Sequence, residues 1–217
     1  MPMAATRADP DADLVAGLKR GDEAAFVTLV RRYQPPLVRL AIVYCGNIAV
    51  AEEIVQDTWL GVIRGIGRFE ERAAFKTWLF QILVNRARTR ATQEGRAGSF
   101  ASLNEEAEAP DDPAVPPERF RGADDPWANN WAVPPEPWAH EGDAPDARVL
   151  AGETIELVKE AIATLPPSQQ QVITLRDVEG WPAEDVCNVL MISETNQRVL
   201  LHRARSRVRA LLEKHFK

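Results

Sequence analysis

Nine of the sixteen prolines in this 217-residue chain fall within residues 99–147, and that concentration decides how the rest can be organised. Proline fixes its own φ and donates no amide hydrogen, so a stretch this rich in it forms neither helix nor central strand. It reads as a semi-extended linker, leaving residues 10–98 and 148–217 as two folded units. The same 49 residues carry 12 acidic side chains against two basic ones, Arg119 and Arg121, a net of −10. Residues 1–98 carry 14 basic and 11 acidic side chains, and residues 148–217 carry 10 and 9. The formal charge of −6, which taken whole speaks against a nucleic-acid partner, therefore averages an acidic linker with two cationic flanks. Trp127, Trp131 and Trp138 also lie in the linker. They suit either a patch laid on a neighbouring domain or a docking motif for a partner protein.

Outside the linker the apolar pattern is helical throughout. Leu14, Val15, Leu18, then Phe26, Leu29, Val30, then Leu37, Leu40, Ala41 recur with the 3.6-residue period, and no strand alternation interrupts them. Asp22 is placed to cap a helix start, Cys45-Gly46-Asn47 to stop one, and Pro35-Pro36 to kink or break the segment between. Two further helices are expected near 50–66 and 74–92. The fold class is all-α: two small helical domains joined by the acidic linker.

Beyond residue 148, helical periodicity runs to Leu165, where Pro166-Pro167 ends it. Ser168 with Gln171 matches a capping box. Glu179-Gly180 closes that helix, 183–190 forms another, and Met191-Ile192-Ser193 turns into a final helix capped by Ser193. Two helices joined by so short a turn make a helix-turn-helix. In the last helix Gln197, Leu201, Ala204, Val208 and Leu211 form an inward stripe, with Thr195, Asn196, Arg198, His202, Arg203 and Arg205 on other faces. From Arg198 onward seven basic residues face one acid, Glu213. A cationic helix after a capped turn suits a DNA major groove, where phosphates attract it and its first turns reach base edges.

Other classes are excluded by what the sequence does not hold. It has no run near the ~20 apolar residues of a membrane helix and no apolar signal core at its start, so a cytoplasmic protein without direct membrane insertion is expected. Two distant cysteines, Cys45 and Cys187, make no disulfide framework. The three histidines do not group with them at metal spacing, and there is no phosphate loop or dinucleotide glycine pattern. No cofactor, metal site or catalytic residue is expected.

Two more patches carry chemistry. Glu52, Glu53, Gln56 and Asp57 share one acidic helix face that suits a basic partner helix. Further on, Phe75, Trp78, Leu79 and Ile82 form an apolar stripe beside Lys76, Asn85, Arg86, Arg88 and Arg90. Aromatics interleaved with cations can stack unpaired bases and neutralise phosphates, although helically spaced aromatics also simply build cores.

Taken together, AEEIVQDTWLGVIRGIGRFEERAAFKTWLFQILVNRARTR and LPPSQQQVITLRDVEGWPAEDVCNVLMISETNQRVLLHRARSRVRALL resemble the two conserved domains of the extracytoplasmic-function class of bacterial RNA polymerase sigma factors. The resemblance covers some 150 residues in the family's order. It implies a protein that binds core RNA polymerase, directs it to promoter DNA and helps melt the start region. It implies that Glu53, Gln56 and Asp57 grip the polymerase clamp helices, and that the loop 67–72 with the following helix captures an unstacked minus-ten base. Asn85 matches a residue that reads this base in relatives, alongside Lys76, Trp78, Arg86, Arg88 and Arg90. Thr195, Asn196, Arg198, Arg203 and Arg205 are implied at the minus-thirty-five element, and an anti-sigma factor is an implied partner. Relatives carry a small residue, Thr, an aliphatic, then Lys-Ser-Arg across the start of the last helix. Here Gln197 stands at an apolar core position and Leu200 at a basic surface position, so an unusual minus-thirty-five preference is expected. The alternative is a helix-turn-helix regulator that acts without replacing the sigma subunit.

Overall fold

The computed structural model describes residues 9–93 and 147–215, with only the backbone described for 147–153. The three linker tryptophans and the linker's own arrangement lie outside the described residues. Every regular element among the described residues is helical: α1 Ala12–Lys19, α2 Glu23–Cys45, α3 Ile48–Gly65, α4 Phe75–Gln93, α5 Ala147–Ala163, α6 Pro167–Ile173, α7 Ala183–Leu190 and α8 Glu194–His215. Helices α1–α4 form the first domain and α5–α8 the second, and α4 and α2 pack against α7 and α6 across the domain boundary.

The first domain starts where its capping chemistry dictates. The Asp22 carboxylate accepts from the amides of Ala24 (2.9 Å) and Ala25 (3.2 Å), satisfying two of the donors that a helix start leaves free. Gly46 ends α2 at φ 65°, in the left-handed region where glycine has no Cβ to clash. Asn47 then caps α3 through Ala49 (2.8 Å) and Val50 (3.3 Å). Asp9 accepts from the Phe75 amide at 2.7 Å and so caps α4 from a distant part of the chain. Buried Asp11 holds Arg32 and the Tyr33 hydroxyl, and burial together with that carboxylate pushes the Tyr33 pKa up.

The expected break at Pro35-Pro36 does not occur, because α2 runs through both prolines. Each proline removes one intrahelical hydrogen bond and costs about 3 kcal/mol. Leu29, Tyr33, Leu37, Leu40 and Tyr44 continue one buried stripe across them, and each such side chain contributes about 1.5–3 kcal/mol. Burial outweighs the lost bonds.

In the second domain α7, the turn at Met191 (φ 58°) and α8 form the helix-turn-helix with the expected bounds. The Ser193 hydroxyl accepts from the Asn196 amide at 3.1 Å, as a cap should. The Ser168–Gln171 capping box is corrected: α6 starts at Pro167, no side chain caps it, and both residues are buried. A π-helical turn, Thr174–Val178, ends this segment with the Glu179 amide reaching Thr174 O at 2.9 Å. The inward stripe of α8 is also corrected at two places. Leu212 rather than Leu211 faces the core, and Leu200 and Asn196, expected outward, are buried. Helix α8 is covered on two sides, by α5 and α6 on one and α7 on another, so its buried arc is wider than one stripe.

Gln197 is 2% exposed, and its Nε2 has no hydrogen-bond partner. An unsatisfied buried amide costs stability that an apolar side chain of similar size would not. We predict that Gln197→Leu stabilises the protein by about 1–2 kcal/mol in denaturant unfolding. An unchanged or lower midpoint would contradict this reading of Gln197.

Candidate nucleic-acid and partner interfaces

The outer face of α3 presents Glu53, Gln56 and Asp57 to solvent, while Ala51, Ile54, Val55, Thr58 and Trp59 face inward. Leu60 and Ile63 extend that outer face, 47% and 51% exposed. The face therefore mixes carboxylates with exposed apolar surface. The sequence signal was available: Leu60 falls four residues after Gln56, on the polar stripe itself.

The cationic face of α4 is less free than its sequence suggests. Asn85 and Arg90 are exposed, and Arg90 lies 3.6 Å from Glu53, joining the acidic face of α3 to the basic side of α4. Arg86 lies across Gly61 of α3, so close that a Cβ at that glycine would stand 2.9 Å from Nη2. Gly61 is thus the gap that lets the guanidinium cross. Lys76 sits over the Trp181 ring at 3.7 Å, and its half-buried position lowers its pKa. Arg88 donates to Leu190 O at 2.8 Å.

Trp78 is half-buried and stacked on Phe69, with centroids 4.7 Å apart and planes 27° apart. Phe75 meets Phe69 edge-on and tilts toward Trp78, and Lys19 lies 5.6 Å above the Phe69 ring. Gly65 gives Trp78 room, its ring only 3.3 Å from where a Cβ would stand. The loop 67–72 is held by Lys19–Glu71 at 2.6 Å, with Glu71 at φ 59°. The loop and helix of the expected base pocket thus meet in an aromatic cluster in which Phe69 covers one face of Trp78.

On α8, Thr195 and Arg198 are exposed at the first turn, Arg198 paired with Glu194 at 2.6 Å. Arg203 is half-buried. Arg205 makes a two-pronged pair with Asp177 at 2.8 and 2.7 Å, which raises its pKa. Asn196 is buried and is not on the outer face. Among the described residues no cluster of His, Cys, Asp or Glu could hold a metal, and no helix is long and apolar enough to cross a membrane.

The described residues thus combine an acidic helix face, a cationic helix and a helix-turn-helix in an all-helical arrangement. Residues 29–97 match the model of Sigma-70 region 2, and residues 155–208 match that of Sigma-70 region 4, together more than half of the chain. The chain is 29% identical over 198 residues to the ECF RNA polymerase sigma-E factor of Haemophilus influenzae, covering 91% of this chain and 93% of that protein. It is 26% identical over 205 residues to the RNA polymerase sigma-H factor of Pseudomonas aeruginosa, covering 94% and 95%. Two solved structures share the fold. CnrH in complex with the cytosolic domain of CnrY has TM-score 0.55 at 21% identity, covering 95% of this chain and 99% of that one. The sigma factor RpoE in complex with the anti-sigma factor NepR from Bartonella quintana has TM-score 0.54 at 22% identity, covering 87% and 96%. The chain belongs to the extracytoplasmic-function class of RNA polymerase sigma factors. As such it binds core polymerase, directs it to specific promoters and promotes DNA melting. A regulator that leaves the sigma subunit in place would account for the region 4 match but not for region 2.

Proposed function

We propose a division of this work among named surfaces. Residues 10–98 bind polymerase and the minus-ten element, residues 148–217 bind the minus-thirty-five element, and residues 99–147 link them. Glu53, Gln56 and Asp57, with Leu60 and Ile63, meet the polymerase. Lys76, Trp78, Asn85, Arg86, Arg88 and Arg90 receive the melted strand, and Thr195, Arg198, Arg203 and Arg205 receive the duplex. Asn196 acts behind that surface, through the turn that it helps to fix. The observation carrying this reading is the junction of α3 and α4, where exposed Glu53 and Arg90 put a protein-binding face directly beside a cationic one. A strand opened at the polymerase surface then lies next to donors already in place, and base extrusion costs only a few kcal/mol.

The chain supplies no catalytic group of its own, and RNA synthesis belongs to the polymerase. It works in the cytoplasm, where both partners are. The two solved structures named above are complexes with a second protein, one of them an anti-sigma factor, which supports an anti-sigma partner here too.

Purified chain, core polymerase and promoter DNA should yield specific transcripts with no other sigma factor present. In that system Asn85→Ala should slow promoter opening about tenfold or more while leaving polymerase affinity within about twofold, since one base contact is worth ~1–3 kcal/mol. Equal loss of both would refute the role given to Asn85.

A further inference from the structure

Residues 9–19 reach both sides of the expected base pocket. The Asp9 carboxylate divides its oxygens: Oδ1 accepts from the Asp11 amide at 3.0 Å, and Oδ2 accepts from the Phe75 amide at 2.7 Å. The Phe75 amide opens α4, and a helix start leaves such amides without internal acceptors. An aspartate 66 residues earlier therefore does the work of an N-cap. The Ala12 amide donates to Asp9 O at 3.1 Å, so the residue that caps α4 is itself part of the entry to α1. Next to it, Asp11 is fully buried and accepts from Arg32 and from the Tyr33 hydroxyl, which ties the same stretch to α2. Tyr33 in turn packs on Phe75, with ring centroids 6.1 Å apart. Phe75 is thus held by its backbone through Asp9 and by its ring through Tyr33, and that ring meets both Phe69 and Trp78.

The loop side is held from the other end of α1. Lys19 pairs with Glu71 and also lies over the Phe69 ring, so one cation meets two residues of the loop 67–72. Glu71 sits in the left-handed region, which is unfavourable for a residue with a Cβ, and its carboxylate meets Lys19 there. The neighbouring acid, Glu70, pairs within the loop with Arg72 at 2.7 Å and leaves the link to α1 to Lys19. An ion pair this exposed adds little to stability, so its effect lies in where it holds the loop. Position matters for an aromatic pocket, because a gap of about 0.5–1 Å already forfeits about a quarter to a half of a dispersion contact.

We propose that Asp9 and Lys19 are positioning residues for base capture: the two ends of α1 act as a clasp that sets the spacing between the loop 67–72 and the start of α4. Neither side chain touches the base; each acts through an aromatic residue, Asp9 through Phe75 and Lys19 through Phe69. This rests on the reading in which that loop and α4 take up an unstacked minus-ten base, and the experiment separates the two.

Holoenzyme reconstituted from the full chain and core polymerase is titrated with a single-stranded oligonucleotide carrying the minus-ten sequence of a promoter it transcribes. The same strand is then made abasic at one position at a time. For the wild type, one abasic position should weaken binding about tenfold or more, the size of a lost stacked base. Asp9→Ala and Lys19→Ala should each cut that ratio to about threefold or less, by weakening the intact strand while leaving the abasic one within about twofold. Asp9→Asn keeps an acceptor for the Phe75 amide and Lys19→Arg keeps a cation, so each should restore most of the discrimination. Thermal melting of Lys19→Ala should stay within about 2 °C of wild type, since the pair is exposed. A wild type that binds every abasic strand as tightly as the intact one removes base capture, and the clasp with it. If the wild type discriminates and an alanine variant does so equally, or weakens both strands alike, that residue loses its positioning role while base capture stands.

Discussion

Trp181→Ala is expected to cost about 3–5 kcal/mol, the usual loss for a buried tryptophan, and to lower the melting temperature of the second domain by more than about 10 °C. The residue is 1% exposed, and its amide donates to Leu175 O at 2.9 Å where the π-turn ends. Arg176 donates to its carbonyl, so the residue is fixed from both sides in sequence. Its ring fills the space between Phe80 and Lys76, so truncation opens a cavity and leaves a half-buried ammonium without its aromatic partner. Trp181→Phe keeps an apolar ring at the site and should lose less than half as much. Thermal melts by circular dichroism check both. A loss under about 1 kcal/mol for the alanine variant would mean that the ring is not the plug its packing indicates.

The second large effect is functional. Glu53→Lys with Asp57→Lys should weaken core polymerase binding about 100-fold, or roughly 2.7 kcal/mol, by setting like charges against a basic partner surface. Folding should hardly change. Both side chains are exposed, and the Glu53–Arg90 pair at 3.6 Å is of the surface kind worth about 0–1 kcal/mol. Fluorescence anisotropy of labelled protein titrated with core enzyme measures the first quantity, and a denaturant melt the second. Unchanged affinity would remove α3 from the interface, whereas a parallel loss of stability would assign these residues to folding instead.

What could be read from the sequence followed from how local each signal was. Caps and stops depend on a few adjacent residues, so Asp22, Gly46 and Ser193 could be placed without a fold. The helix-turn-helix bounds followed for the same reason. Of the kink or break expected at prolines 35 and 36 the break does not occur, because their cost is local and its compensation is not: the buried stripe from Leu29 to Tyr44 exists only once α1, α3 and α4 surround it. The outward placement of Asn196 and Leu200 failed because helical periodicity describes one buried face, and α8 is covered on two. Ser168 has the right neighbours for a capping box, but α6 starts one residue earlier at Pro167, whose fixed φ suits a first helical position and whose missing N–H removes one of the free donors there.

The site divides in the same way. That α3 carries acids and α4 carries bases was legible, since composition and period are properties of the chain alone. That Phe69 would stack on Trp78, that Gly61 would make way for Arg86, and that Lys76 and Arg88 would be held by the other domain were not. By itself the sequence determined two helical units, an acidic proline-rich stretch between them and the sign of charge on each helix. These follow from backbone restriction and from side-chain period, which act within a few residues. Only the tertiary structure decided which of those charges are available, because that depends on what a distant part of the chain brings to them. For α4 it brings the carbonyl end of α7 to Arg88 and the Trp181 ring to Lys76.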